Sequence, residues 1–169
     1  MKKYFRRLVF CLMVLGIVCG SVSMAAATNL TVNTVDGSWL NAVPAGPSTS
    51  YYPTIINGAS PGVVDTVRWG QPAETLQSGY DFLAESTPFS AAVDGSAFAL
   101  GTFTHLNYPI YEPSLTSIDL NVALTIQGFG SFTPTFHFNH TETPNVNGNE
   151  LDNDLVTLLN PALNASFDD

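Results

Sequence analysis

The clearest pattern in this chain is a strict alternation of apolar and polar side chains between residues 118 and 126. Successive side chains of a β-strand point to opposite faces of the sheet, so a period of two predicts a strand with one buried face. A helix would scatter the same apolar residues around its circumference. The segment therefore predicts a strand with five buried side chains: Ile118, Leu120, Val122, Leu124 and Ile126.

Weaker strand patterns recur along the chain, separated by clusters of Gly, Pro, Asn, Ser and Thr. Short strands between such turn signals are typical of antiparallel all-β domains. The predicted strands are residues 29–35, 63–69, 97–105 and 132–140. A β-bulge near Gly101 would place Phe98 and Phe103 on the same face of the third of these strands.

The segments between the strands complete the predicted architecture. Residues 43–62 are rich in Pro, Gly, Ser and Tyr, and they predict a long surface loop, whereas residues 155–159 form a short apolar piece near the end. A chain with one buried face per strand is best satisfied by two packed sheets. The sequence therefore predicts an all-β fold, a two-sheet antiparallel β-sandwich that is jelly-roll-like.

The first 27 residues have the pattern of a secretory signal peptide. Four basic residues lie within the first seven positions, an apolar run of twelve extends from Leu8 to Cys19, and small residues lead to Ala25 and Ala27. Such a run is too short for a permanent membrane span, which needs about 20 residues. We expect cleavage after Ala25 or Ala27, which leaves a single domain of residues 28–169 that is secreted or held at the cell surface.

Loss of the signal peptide would make the chain strongly acidic. The whole sequence has 5 Lys and Arg against 14 Asp and Glu, and only Arg68 lies beyond residue 7, so the mature charge is 1 minus 14, or −13. Phosphate backbones and anionic lipids repel such a chain, which excludes nucleic acids and membrane surfaces as partners and leaves a polysaccharide or an envelope protein. Cys11 and Cys19 also leave, which excludes disulfides and thiolate chemistry.

The three histidines do not predict a catalytic or metal site. His137 and His140 are three residues apart on a predicted strand, so they face opposite sides and do not chelate one ion together. His105 has no histidine near it in the sequence, and no nucleophile-elbow or zinc-protease motif occurs. We expect surface or structurally satisfied histidines, no catalytic residue and no cofactor. Two carboxylates for glycoside hydrolysis need only proximity in space, so a hydrolase of that type stays an alternative.

Arg68 is the one cation available to a buried acid. Glu142 lies just past the strand 132–140, on the parity of Phe136 and Phe138, so its carboxylate is expected to point inward. An inward carboxylate needs a cation or several hydrogen-bond donors. We hypothesise a structural Arg68–Glu142 pair; the alternatives are a solvated Arg68 or a pair with a different acid, such as Asp65.

An oxygen-rich stretch near the end of the chain has the composition of a weak calcium site. Hard oxygen ligands at alternating positions suit Ca²⁺, although the stretch does not match an EF-hand loop. A polar turn that keeps the protein soluble is the alternative. The candidate ligands are Asn145, Asn147, Asn149, Glu150, Asp152 and Asp154.

Several aromatic residues could form a platform for sugar rings if they were exposed. Trp39 and Trp69 have apolar neighbours, and we expect both to fill the core. The tyrosine pairs at 51–52 and at 108 and 111 lie in Pro-rich loops and are the better candidates for a platform. Packing of these tyrosines in the loops is the alternative.

Spaced motifs across residues 39–159 carry a family resemblance. They are Val-Arg-Trp-Gly-Gln-Pro at 67–72, with Arg68 and Trp69; Gln-Ser-Gly-Tyr-Asp-Phe at 77–82; and Leu-Gly-Thr-Phe-Thr-His-Leu-Asn-Tyr-Pro-Ile at 100–110. The last contains a Thr-His-x-Asn signature, made here of Thr104, His105 and Asn107. Glu-Thr-Pro-Asn at 142–145 and Asp-Leu-Val-Thr at 154–157 follow in order. The chain resembles the choice-of-anchor K domain of secreted bacterial proteins, including the PEP-CTERM group.

The resemblance implies a surface or secreted module with no established catalytic residues, usually followed by one of several C-terminal anchors. No apolar tail follows residue 159 here, so we expect either a released protein or a truncated sequence. We interpret Thr104, His105 and Asn107 as an architectural turn whose side chains bond neighbouring backbone groups before Pro109. The leading prediction is an exported, non-enzymatic surface or matrix module; a carbohydrate-binding module, with or without calcium, and a carboxylate-dependent glycoside hydrolase are the alternatives.

Overall fold

The computed structural model describes residues 6–8, 29–47, 50–94, 96–143 and 154–160. This part of the chain is all-β and contains several antiparallel sheets. The strands are β1 (Arg6–Leu8), β2 (Asn29–Val43), β3 (Thr54–Ile56), β4 (Asp65–Trp69), β5 (Gln71–Pro72), β6 (Ser78–Ala84), β7 (Phe89–Ala92), β8 (Gly101–Leu106), β9 (Ile110–Tyr111), β10 (Ser117–Ile126), β11 (Gly130–Phe132), β12 (Thr135–Thr141) and β13 (Leu155–Leu158).

Two sheets carry nearly all of these strands. The first sheet has the order β1-β8-β6-β4-β3, and the second has the order β13-β12-β10-β2-β7, with β11 paired to β10. A small third sheet joins β5 to β9. Every ladder is antiparallel, in agreement with the turn-rich sequence.

The buried faces of the two large sheets share one hydrophobic core. Phe103 on β8 stacks on Phe138 of β12, with ring centroids 5.4 Å apart and planes 7° apart. Trp39 on β2 lies within 6.2 Å of Phe103 and 6.0 Å of Phe138 between ring centroids. The side chains that fill this core therefore come from both sheets, which is the arrangement expected of a sandwich-like fold.

The period-two pattern of the central strand is confirmed. In β10 the residues at 118, 120, 122, 124 and 126 are all buried, and the residues between them are not. The predicted core positions of Trp39 and Trp69 are also confirmed, because both side chains are buried.

Two strand boundaries and one bulge were predicted wrongly. Strand β2 runs eight residues past the predicted end at 35, because β10 offers a partner as far as Val43. No bulge occurs at Gly101; β8 begins there, since its ladder with β6 ends at the Ala84–Gly101 pair. The predicted loop 43–62 contains a short strand, β3. The register shifts in this fold lie instead between β2 and β10.

Candidate functional site

Two histidines that are far apart in the sequence meet where the two large sheets face each other. His105 lies on β8 two residues after Phe103, and His140 lies on β12 two residues after Phe138. Both therefore share the inward face with the stacked phenylalanines. Their ring centroids are 5.5 Å apart, with planes at 85°. Sheet packing rather than sequence spacing brings the two histidines together.

Two carboxylates complete what we call the His-carboxylate cluster: His105, His140, Glu142 and Asp154. Glu142 follows β12, and its Oε2 lies 3.2 Å from His140 Nε2. Asp154 directly precedes β13, and its Oδ2 lies 3.5 Å from His105 Nε2 and 3.9 Å from His140 Nε2. Because β13 pairs with β12, with Leu155 opposite Thr141, the ladder holds Asp154 beside His140.

Neighbouring groups fix the orientation of the cluster. The backbone N–H of Thr143 donates to Asp154 Oδ1 at 3.0 Å, and the Thr143 hydroxyl donates to the same atom at 3.3 Å. Asp154 Oδ2 is thereby directed at the histidines. The hydroxyl of Tyr80 lies 2.6 Å from His140 Nδ1, which leaves Nε2 of that ring facing the carboxylates.

Tyr80 is a neutral phenol in this setting. Burial raises the pKa of Tyr80 well above its ordinary value of 10.0, and the negative charges of Asp154 and Glu142 raise this pKa further. A neutral phenol can accept a hydrogen bond from an imidazole N–H or donate one to an imidazole nitrogen. It therefore couples to either tautomer of His140 without adding charge to the cluster.

The cluster is largely closed to solvent. The side chains of His140 and Asp154 are both 0% exposed, while those of His105 and Glu142 are 17% and 15% exposed. The ring of Trp69 packs edge-on against His140, with centroids 5.1 Å apart, and forms one wall. Such an enclosed set of imidazoles and carboxylates can share protons within the core or hold a metal ion, and His105, His140 and Asp154 each offer a ligand atom within 4.8 Å of the others.

Arg68 is not part of this cluster, and the hypothesis of an Arg68–Glu142 pair is wrong. Arg68 Nη2 lies 2.6 Å from Asp81 Oδ1. Arg68 Nη1 also donates to the backbone carbonyls of Val67 and Tyr80. Arg68 is on the less buried parity of β4, between the buried residues Val67 and Trp69, so it lies on the opposite face of the sheet from the cluster.

The Thr-His-x-Asn signature divides between the two faces of β8. Thr104 is on the outward parity, opposite Asp81 on β6, and His105 joins the cluster. Asn107 follows the end of β8, and its Oδ1 is buried with no hydrogen-bond partner in the described part of the chain. The prediction that His105 and Asn107 bond neighbouring backbone groups is therefore wrong: the His105 ring faces Asp154, which sequence spacing alone did not indicate.

Most of the predicted calcium ligands lie outside the described residues: Asn145, Asn147, Asn149, Glu150 and Asp152. The exception is Asp154, whose carboxylate is directed into the His-carboxylate cluster. His137 is placed as predicted, on the face of β12 opposite His140, where Nδ1 lies 2.6 Å from Asp119 Oδ1.

The tyrosines that were candidates for sugar stacking separate by exposure. Tyr80 is fully buried in the core, whereas Tyr51 and Tyr111 are 43% and 63% exposed. These two are attached to adjacent positions: the carbonyl of Tyr51 accepts from Gly70 N–H, and Tyr111 pairs with Gln71. Tyr52 and Tyr108 are half-buried.

Sequence reasoning missed His140 of the cluster and Tyr80, which is hydrogen-bonded to it. His140 shares the parity of Phe136 and Phe138, which was the argument that placed Glu142 inward, so the same argument would have found it. The sequence signal for Tyr80 was weaker. It is a tyrosine in a strand in which most residues on both faces are buried, so alternation does not single it out.

Comparison of the chain with protein-family models and with curated proteins finds no match. Within the described residues, no helix has the length and apolar character needed to cross a bilayer.

Proposed function

We propose that this chain is an exported, non-enzymatic module of the cell surface or extracellular matrix, built as a jelly-roll-like β-sandwich of residues 28–169 behind a signal peptide of residues 1–27. One observation carries the non-enzymatic part. The side chains with catalytic potential are enclosed, since His140 and Asp154 are both 0% exposed. A catalytic group must contact its substrate, so this enclosure favours an architectural role for the cluster.

The motif arrangement supports membership of the choice-of-anchor K group. Three motifs that are separated in the sequence contribute His105, Glu142 and Asp154, and these side chains lie beside His140. Motifs whose side chains meet in the interior are expected when family members share a fold. Motifs that bind a shared ligand are expected at the surface instead. The proposed module is therefore defined by a common buried centre rather than by a common binding face.

Export is tested by expressing the full-length chain in a bacterium and fractionating the culture. We expect the protein outside the cytoplasm, with a mature N-terminus near Ala26 or Thr28 in mass spectrometry, because small residues precede both positions. Recovery of chains with intact Met1 in the secreted fraction would contradict the proposed signal peptide.

A carbohydrate-binding module is the second candidate, and the exposed pair Tyr51 and Tyr111 favours it. The backbones of both residues contact the segment at Gly70 and Gln71, both side chains are exposed, and exposed aromatic rings can stack on sugar faces. On a glycan array, binding should be lost in Tyr51→Ala combined with Tyr111→Ala. It should persist in the control Phe129→Ala, whose side chain is similarly exposed, at 44%, in the turn between β10 and β11. Equal binding by the double variant and the wild type would remove this candidate.

A further inference from the structure

The His-carboxylate cluster contains buried polar atoms that no group in the described residues satisfies. They are Asp154 Oδ2, His105 Nε2 and Glu142 Oε1. Buried polar atoms without partners are destabilising, so native proteins nearly always pair them with a protein group, a water molecule or an ion. Two of them, His105 Nε2 and Asp154 Oδ2, lie beside His140, and the carboxylate of Asp154 is fully buried. These two atoms point to one partner that contacts both of them.

The charge of the cluster defines that partner as a cation. Glu142 and Asp154 are both acids, and the phenol of Tyr80 is neutral. Arg68, the only Lys or Arg beyond residue 7, is engaged by Asp81 on the other face of the sheet. Two carboxylates in a largely closed site are strongly unfavourable unless a cation compensates them, and that cation is either a protonated histidine of the cluster or a bound ion. A dication would neutralise both carboxylates.

The distances fit a small metal ion. Ligands at about 2.0–2.1 Å from a tetrahedral ion are about 3.3 Å from one another. Asp154 Oδ2 lies 3.5 Å from His105 Nε2 and 3.9 Å from His140 Nε2, and one ligand atom from each of these three residues lies within 4.8 Å of the other two. These three atoms are thus close to the spacing of a coordination shell.

The supporting hydrogen bonds are those that a metal site needs. A ligating histidine usually donates its other ring N–H to an oxygen, which fixes the ring and the tautomer. With the proton on Nδ1, His140 donates to the Tyr80 oxygen at 2.6 Å, and Nε2 has a lone pair for an ion. In the other tautomer Nε2–H donates to Glu142 Oε2 at 3.2 Å and no ion binds that nitrogen. Asp154 is supported in the same way, because Thr143 donates twice to Oδ1 and leaves Oδ2 as the ligand atom.

We propose that His105, His140 and Asp154 bind one divalent transition-metal ion, with zinc the best fit. Two imidazole nitrogens and a carboxylate oxygen suit zinc and its neighbours, whereas calcium sites are built from oxygen alone. The fourth position of a tetrahedral ion is then left to a water molecule, and the enclosure of the site favours a structural role over a catalytic one. The ion would join β8 of the first sheet to β12 and the start of β13 in the second. The site does not depend on where the protein is located.

The test is a calorimetric titration of the purified, chelator-treated chain with Zn²⁺. We expect one Zn²⁺ per wild-type chain and no competition from millimolar Ca²⁺. His105→Gln and Asp154→Asn should each abolish that binding. The matched control is His137→Gln, a histidine three residues from His140 on the same strand but on the opposite face, which should bind like the wild type. Equal Zn²⁺ affinity in the wild type and His105→Gln, or equal losses in His105→Gln and His137→Gln, would overturn the proposal.

Two further measurements keep the test decisive if a ligand variant fails to fold. Co²⁺ added to the wild type should give the intense visible absorption of a tetrahedral site, and one equivalent of Zn²⁺ should remove it. A weak, octahedral-type spectrum would contradict the tetrahedral site. Tyr80→Phe keeps the core ring and removes only the oxygen that supports His140, so it should weaken Zn²⁺ binding by about 10- to 100-fold. Unchanged affinity in Tyr80→Phe would show that His140 is not a ligand through Nε2.

Discussion

At the scale of single residues, the alternation of side chains along a strand correctly predicted which face a residue lies on. It did not predict which residue that side chain contacts. Parity correctly placed Glu142 inward and His137 and His140 on opposite faces. It did not indicate that Arg68 pairs with Asp81, because that contact depends on the β4–β6 register. A strand pattern gives the side of the sheet on which a residue lies, while its partner is set by a neighbouring strand.

Asp65 is a buried acid whose carboxylate is only partly hydrogen-bonded. Its Oδ1 accepts from Gly58 N–H at 2.7 Å, but its Oδ2 is buried with no hydrogen-bond partner in the described chain. Burial raises the pKa of Asp65 above 3.8; the negative charge of Asp36 adds to the rise, and the hydrogen bond from Gly58 opposes it. The folded state therefore favours the protonated form of Asp65. The stability that this protonation contributes is complete below a pH of 3.8 and is lost as the pH rises through the pKa of Asp65 in the folded state.

We therefore expect Asp65→Asn to change the pH dependence of stability. The free energy of unfolding of the wild type should fall relative to that of the variant as the pH rises from 3.8 toward neutrality, since the variant cannot ionise at this position. Urea denaturation of both proteins at a series of pH values measures this difference, in which other titrating groups cancel. A difference that is constant, or that increases with pH, would contradict the account.

At the scale of elements, strands were predictable where one strand carries its own pattern and poorly predictable where a partner sets the length. The alternation in β10 predicted a strand over residues 118–126, and the strand spans Ser117–Ile126. The second half of β2 contains Gly37 and Ser38, which have little preference for strands, yet it is held by its ladder with β10. On its other edge, β7 pairs only with Asn29–Val32, so the rest of β2 needs other protection.

Asn57 supplies part of that protection. Its Oδ1 accepts from the backbone N–H of Trp39 at 2.8 Å, and its Nδ2 donates to the carbonyl of Trp39 at 3.1 Å. The amide thus occupies the place of a neighbouring strand, and it links the segment after β3 to the second sheet.

Asn57→Ala should lower the free energy of unfolding by about 1–3 kcal/mol, because it leaves both backbone groups of the buried Trp39 without partners. The control is Asn139→Ala, an exposed asparagine on β12, which should change stability by no more than about 0.5 kcal/mol. Chemical denaturation of the wild type and the two variants measures these differences. Similar free energies of unfolding for Asn57→Ala and the wild type would refute this role of Asn57.

At the scale of the whole molecule, the His-carboxylate cluster exists because two sheets stack. His105 and His140 lie on strands of different sheets, and Asp154 reaches them only because β13 pairs with β12. No local pattern encodes such a meeting, since it depends on sheet order and on which faces pack. The all-β class could therefore be predicted from turn spacing and alternation, and the site could not.

The central claim is that the buried cluster of this proposed surface module is completed by a metal ion. The most direct measurement is a crystal structure of the protein purified without chelators, with anomalous diffraction recorded on both sides of the zinc absorption edge. We expect one anomalous peak about 2.0–2.2 Å from each of three atoms: His105 Nε2, His140 Nε2 and Asp154 Oδ2. Crystals of zinc-supplemented protein with no anomalous peak at the cluster, and with the histidines hydrogen-bonded directly to the carboxylates, would contradict the account.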